Sequence, residues 1–292
     1  MNTIWSSYIQ GPKTLYYSRK LRFDDMFRNQ YKELFGLPEG KKLKILEIGC
    51  GPGALAGALH RWYPEAEIKA VDRDSEFIAF SREHEPGIQF MEGDATALPF
   101  EDESFDVTIS NTVSEHIEPG KFYGEQLRVL KPGGVCLVLS ARKGVHIYAK
   151  CLAKRVEEEA FRKKVEQYDD TMERFSICKY PMSEAELPLA LQTHGFKNVS
   201  TGYATIDLTP DHPNVSDTMA QAMINANRYN ALEAIDSVLR FLPEQVTEAE
   251  CQAMKDIVEE KYDTRMEQYQ KGEKQWDTNV NITMVVRGEK EK

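Results

Sequence analysis

The chain lacks paired cysteines. Its five (Cys50, Cys136, Cys151, Cys178 and Cys251) are scattered, and no two stand as Cys-x-x-Cys. That spacing disfavours a disulfide framework or a cysteine-held metal, so reduced thiols in a cytoplasm and no metal site are expected. No apolar run approaches the ~18–20 residues that span a bilayer, and no membrane segment is expected. Met1 to Gln10 has neither a charged start nor a long apolar core, which is unlike a signal peptide. Positive charge is scarce: 37 lysines and arginines stand against 47 acidic residues, a net charge of −10. A nucleic-acid reader usually shows a basic face, so nucleic acid is disfavoured as a partner. Internal repeats and low-complexity tracts are also missing. The rest is ordinary for a globular chain, 41% hydrophobic and 29% charged over 292 residues.

The informative stretch is Leu43 to Leu59. The apolar run Ile45 to Ile48 has the short, partly β-branched character of a buried strand. Gly49, Gly51 and Gly53 follow at alternate positions, and Ala54 to Leu59 opens a small-residue helix. Strand, glycine loop and helix make the first half of a nucleotide-binding α/β unit. Glycines let the loop turn sharply and let a ligand lie against backbone, while the helix start offers free N–H groups to an anion. A dinucleotide fold would show G-x-G-x-x-G. The pattern here is Glu47-x-Gly49-x-Gly51-x-Gly53. It resembles the first motif of class I S-adenosylmethionine-dependent methyltransferases, acidic-x-G-x-G-x-G.

Four further motifs follow in the order that family requires. Ile68 to Asp72 reads as the second strand, and Asp72 closes it about 20 residues after the glycine loop, where an acidic side chain meets ribose hydroxyls in such folds. The competing role for Asp72 is a helix cap, although Asp74-Ser75 already supplies cap chemistry for a helix over Glu76 to Glu83. After a third strand, Ile88 to Met91, comes Gly93-Asp94-Ala95-Thr96-Ala97-Leu98-Pro99-Phe100. The resemblance places Asp94 and Ala95 against adenine, with Leu98 and Phe100 as apolar contacts. Phe105 to Ser110 is the fourth strand and leads into Asn111 and Thr112, which the resemblance sets at the reaction centre. Leu127-Arg-Val-Leu-Lys-Pro-Gly-Gly134 precedes a fifth strand, Val135 to Ser140, and is typical of small-molecule methyltransferases. The resemblance covers Leu43 to Ser140. It implies S-adenosylmethionine as cofactor, bound by Glu47, Gly49, Cys50, Gly51, Gly53, Asp72, Arg73, Asp94, Ala95, Asn111 and Thr112.

The expected fold is α/β: a Rossmann-like, seven-stranded, mostly parallel sheet with an antiparallel last strand, helices on both faces and helical lid insertions. One methyltransferase domain spans 1–292. Within it, 1–40 is an N-terminal helical cap with a helix over Thr14 to Phe35, and 41–140 is the cofactor-binding core. Residues 183–208 and 278–288 complete the sheet, with a helix from Ser183 to His194, a sixth strand from Phe196 to Leu208 and a seventh from Asn279 to Arg287. The insertions 141–182 and 209–277 are charged and helical, over Lys150 to Tyr168, Ser216 to Phe241 and Thr247 to Gln270. Both leave the carboxyl edge of the sheet, where such folds bind ligands, so they are expected to roof the site and supply most of the acceptor pocket.

The expected reaction is in-line methyl transfer to a small-molecule acceptor. Other readings are a protein or RNA acceptor, or a non-catalytic cofactor-binding regulator. A protonated acceptor would need a base, and His116, just past the fourth strand, is the candidate; packing or capping is its plainer role. Tyr8, Tyr16, Tyr17 and Arg19 are candidate acceptor-pocket residues. The oligomeric state is open between monomer and homodimer.

Overall fold

The computed structural model describes residues 5–166 and 177–292. Seven strands form one sheet: β1 Lys44–Ile48, β2 Glu67–Asp72, β3 Gln89–Glu92, β4 Phe105–Asn111, β5 Leu130–Ile147, β6 Lys197–Asp207 and β7 Thr278–Glu289. Their order is β3-β2-β1-β4-β5-β7-β6. β7 runs antiparallel to both β5 and β6, and the remaining pairs are parallel. This is the expected Rossmann-like arrangement. The order reverses between β1 and β4, so their carboxyl ends open the crevice in which such sheets hold ligands.

Helices cover both faces, as a mainly parallel sheet requires. They are α1 Pro12–Arg22, α2 Arg28–Phe35, α3 Ala54–Trp62, α4 Ser75–His84, α5 Pro119–Val129 and α6 Val156–Lys164, then Glu186–Thr193, Asp217–Phe241 and Glu248–Gln270. On one face, Ala56 and Leu59 of α3 pack with Tyr31 and Phe35 of α2 against Ile45, Val107 and Leu137. On the other, Phe122 and Tyr123 of α5 pack with Leu187, Leu191 and Phe196 against Leu46, Ile48 and Val138. The alternation of Ile45 and Leu46 to opposite layers is the two-residue period of a strand buried on both sides.

Four local expectations are corrected. The helix over Thr14 to Phe35 is broken in two. Asp24 caps a 3₁₀ turn by accepting from the Met26 N–H at 3.0 Å, and Asp25 accepts from the Trp62 indole N–H at 2.8 Å. Asp side chains favour this use at turn starts over helix interiors. The fifth strand runs on past Ser140 to Ile147, because β7 supplies antiparallel partners as far as Ile147–Thr278. A register shift between Arg142 and Val145 bends it where Gly144 passes the Val280 carbonyl, a spot with no room for a Cβ. The helix over Lys150 to Tyr168 is a 3₁₀ turn, Lys150–Leu152, followed by α6; the Arg155 N–H is held by Glu158 at 2.7 Å as α6 starts, and Gln167 and Tyr168 lie outside the described residues. The helix expected from Ser183 begins at Glu186, though Ser183 and Glu186 exchange the reciprocal bonds of a capping box.

The second insertion is a long antiparallel hairpin, Asp217–Phe241 and Glu248–Gln270, capped by Ser216 and Thr247. Its small core of Ile235, Val238, Val246, Cys251 and Val258 is shared with Val165 at the end of α6. At its root the buried Arg265 guanidinium bonds Asp211 at 3.0 Å and Asp277 at 2.6 Å, tying together the two points where the insertion leaves and rejoins the sheet. Among the described residues, no helix is long and apolar enough to cross a membrane.

Candidate active site

A cavity of about 450 Å³ opens at the carboxyl ends of β1, β2 and β4. That volume is within the range of small-molecule sites. Glu47, Gly49, Cys50, Gly51, Asp72, Arg73, Asp94, Ala95, Asn111, Thr112 and His116 all line it. Gly53 does not. It caps α3 behind the loop with φ +90°.

The glycine loop has backbone reasons for its composition. Gly49 has φ +70°, and a Cβ there would meet Val113 Cγ2 at 2.5 Å. Gly51 has φ +52°, and its nearest neighbour would be Leu15 Cδ2 at 3.7 Å, so what it faces is the cavity. Asp72 braces this loop. Its Oδ2 accepts from the Gly51 N–H at 2.8 Å and its Oδ1 from the Asp74 N–H at 2.9 Å. An ionised carboxylate has about four acceptor positions, so two remain for a ligand. The helix cap is Asp74, which accepts from the Glu76 and Phe77 N–H groups. Asp74 also takes the Ser6 N–H and hydroxyl, both at 2.9 Å, and so anchors the N-terminal segment beside the cavity.

This end of the cavity is acidic. Glu47 is buried and its Oε2 has no hydrogen-bond partner among the described residues. Burial first, then the neighbouring Asp72 carboxylate, push its pKa well above the usual carboxylate range. Burial also raises Asp72. Desolvated carboxylates facing open space suit a cationic ligand, which restores the stability of their charged forms. Asp94 is more exposed. Its Oδ1 accepts from Thr96 N–H and Oγ1–H at 2.8 and 2.7 Å, which lowers its pKa. Leu98 and Phe100 are not in the cavity: Leu98 is in the core, and Phe100 packs edge-on against Phe105 at 4.9 Å.

At the end of β4 the chain turns sharply. Thr112 has φ +53°, a region in which a β-branched residue is a true outlier, and its N–H donates to the Leu139 carbonyl at 2.8 Å. Its Oγ1 accepts from Arg19 Nη2 at 3.3 Å. His116 lies on the following 3₁₀ turn, edge-on to Trp5 at 5.0 Å. Its Nδ1 accepts from the Cys178 N–H at 2.9 Å. Burial lowers its pKa, favouring the neutral ring. A neutral ring whose Nδ1 accepts carries its proton on Nε2, so the free nitrogen is a donor, not a base.

Of the four candidate acceptor residues, only Arg19 lines the cavity. Tyr16 is buried against α4, its hydroxyl donating to Glu85 Oε1 at 2.6 Å. Tyr17 is exposed and edge-on to Tyr16; Tyr8 is exposed against Phe241. Helical period explains the sorting: Leu15 and Arg19, four apart, share the cavity face, and Tyr16 and Tyr17 are rotated off it. Sequence reading missed Trp5, Leu15, Phe23, Lys121, Lys179 and Tyr180, which also line the cavity. The spacing to Arg19 signals Leu15; no local pattern signals Lys179 or Tyr180. The expected roof is corrected for one insertion only: Lys179 and Tyr180 of 141–182 line the cavity. No described residue of 209–277 lines the cavity, because the hairpin packs outside α1 and the N-terminal segment takes the inner position. Among the described residues, no group of His, Cys, Asp or Glu side chains is placed to hold a metal.

Sheet order, glycine loop and cavity together match the Rossmann-like methyltransferase fold. Residues 46–138 match the family model described as a methyltransferase domain. Over 108 residues it is 41% identical to a fatty-acid O-methyltransferase of Mycolicibacterium smegmatis, covering 36% of this chain and 38% of that one. Over 95 residues it is 44% identical to a probable phthiotriol/phenolphthiotriol dimycocerosates methyltransferase 2 of Mycobacterium ulcerans, covering 31% and 36%. The chain thus matches little more than a third of either relative's length. Among solved structures, a phosphoethanolamine N-methyltransferase 2 of Haemonchus contortus with S-adenosyl-L-methionine superposes with TM-score 0.54 at 16% identity, covering 99% of this chain and 60% of that one. At that identity the likeness concerns fold alone.

Proposed function

We propose that the protein transfers a methyl group from S-adenosylmethionine to a small-molecule acceptor bound in the same cavity. The observation that carries this is the cavity's mixed lining. The glycine loop, Asp72, Asp94 and the unpartnered Glu47 carboxylate supply part of it, and Trp5, Leu15 and Arg19 of the N-terminal segment supply another part. S-adenosylmethionine carries a sulfonium and an ammonium, the charges that Glu47 and Asp72 fit. When bound, it supplies an electrophilic methyl group open to in-line displacement.

The chain's own contribution is alignment and exclusion of water. Asp72 fixes the glycine loop before any ligand arrives, through the Gly51 N–H. Trp5, Leu15 and Phe23 close the cavity with apolar surface. A cavity of this size favours a small acceptor over an RNA or a folded protein. His116, with Nδ1 engaged, serves better as an orienting donor than as a base. Calorimetry with S-adenosylmethionine and with NAD, followed by a labelled-methyl assay over metabolites, peptides and RNA, tests this reading. Binding of NAD alone, or label only in macromolecules, would overturn it.

A further inference from the structure

The cavity lining also carries charge of the opposite sign. Arg19 is part of that lining, half-buried, and it donates to a neutral group, Thr112 Oγ1 at 3.3 Å. No carboxylate lies within ion-pair distance of it among the described residues; Glu115 attracts it only from farther away. Arg22 follows one helical turn later, also half-buried and without a carboxylate partner among the described residues, and the two guanidiniums repel each other. Burial and that repulsion press the Arg19 pKa down to about 9. Other enclosed arginines are treated differently. Arg265 has Asp211 and Asp277, Arg128 has Glu125 and Asp102, and Arg228 has Glu259 and Asp263.

A desolvated guanidinium left unpaired is costly, and an anion between its fork and the solvent removes the cost. Beside it, the buried Trp5 indole N–H also lacks a partner among the described residues. The wall around these donors is apolar: Leu15, Phe23, Val113 and Ile117.

We infer that the acceptor is an amphiphilic anion, a carboxylate or a phosphate on an apolar body, whose charged head is held by Arg19 with Arg22 behind it. This rests on the methyltransferase reading, since it places the anion in the same cavity as the cofactor. An ionised head also removes the need for a base if the transferred methyl goes to its own oxygen. The oxygen lone pair forms the new bond to carbon while the carbon–sulfur bond breaks, and the sulfonium leaves as a neutral thioether with no proton to move.

The test is calorimetry on the full chain, with and without S-adenosylhomocysteine, using octanoate, octyl phosphate and octan-1-ol. At least one of the two anions should bind, and octanol at least ~10-fold more weakly. Preference between the anions tells carboxylate from phosphate. Arg19→Gln should weaken anion binding by ~10-fold or more, with Arg19→Lys intermediate because it keeps charge without the fork. Both variants should keep the wild-type circular-dichroism spectrum and a cooperative thermal transition, showing that they fold. Equal binding of octanoate and octanol, no binding of either anion, or an Arg19→Gln protein that binds anions like wild type overturns the inference. Arg19-dependent anion binding without any S-adenosylhomocysteine binding would keep the anion site and overturn the methyltransferase reading.

Discussion

Two regions of this molecule enclose a guanidinium, and they treat it in opposite ways. At the hairpin root, Arg265 is fully buried and sandwiched by Asp211 and Asp277. On the cavity wall, Arg19 has one neutral neighbour, Thr112. The first arrangement has its charge paired without a ligand, although Nη1 has no hydrogen-bond partner among the described residues. The second does not have its charge paired among the described residues. The contrast separates charge used to hold the chain together from charge held ready for something else.

The sharpest break in that contrast comes from Arg265→Met. Removing one partner of a buried pair leaves uncompensated carboxylates, so a loss of ~3–5 kcal/mol in chemical denaturation is expected, with the hairpin destabilised first. A loss as small as that of a surface pair would make the two arginines equivalent.

Asp72→Ala addresses the acidic part of the cavity lining. Cofactor affinity should fall by ~1.5–3 kcal/mol, read by calorimetry. Because Asp72 also holds two backbone N–H groups, ligand-free stability should drop as well, unlike that of a residue that touches ligand alone. Unchanged cofactor affinity would reduce Asp72 to a loop brace.

Asp74→Ala loses a helix cap, at ~1–2 kcal/mol, and also the Ser6 anchor. Hydrogen exchange in the Trp5–Ile9 segment should quicken while the hairpin helices keep their protection. Equal change in both would deny the N-terminal segment a separate role.

The smallest effect concerns Glu47. Its folded pKa is raised, so its protonated form predominates over a wider range, and the stability it lends is present at low pH and lost as pH climbs from the ordinary carboxylate value through the raised one. A bound cation favours ionisation, so cofactor binding in that window should release a fraction of a proton. Calorimetry in buffers of different ionisation enthalpy measures it, and Glu47→Gln should abolish it. The same release from the variant would assign the proton to another group.

How much of this was legible follows from range. Gly49, Gly51, Asp72 and Asp94 declare themselves because a strand, a tight loop and a cap each leave local patterns. The buried runs around Ile45 and Val138 gave the sheet for the same reason. Arg19 was legible as a residue type, and its face was readable from Leu15, four positions away. What stayed hidden depends on distant partners. The Tyr16 hydroxyl finds its partner in Glu85, and Ile147 stays in a strand because Thr278 pairs with it. The hairpin's outer position depends on α1 occupying the inner one.

The closed root of that hairpin has one further consequence. β6 and β7 pair through Asp207–Val280, and the Leu208 N–H still reaches the Asn279 carbonyl at 3.1 Å. Asp211, Arg265 and Asp277 then pinch the chain shut just beyond. Strand register is thereby decided before the hairpin begins. Lengthening or shortening the hairpin distal to the pinch changes loop-closure entropy only slowly and shifts no strand pair. The appendage can vary in size while the sheet below keeps its alignment.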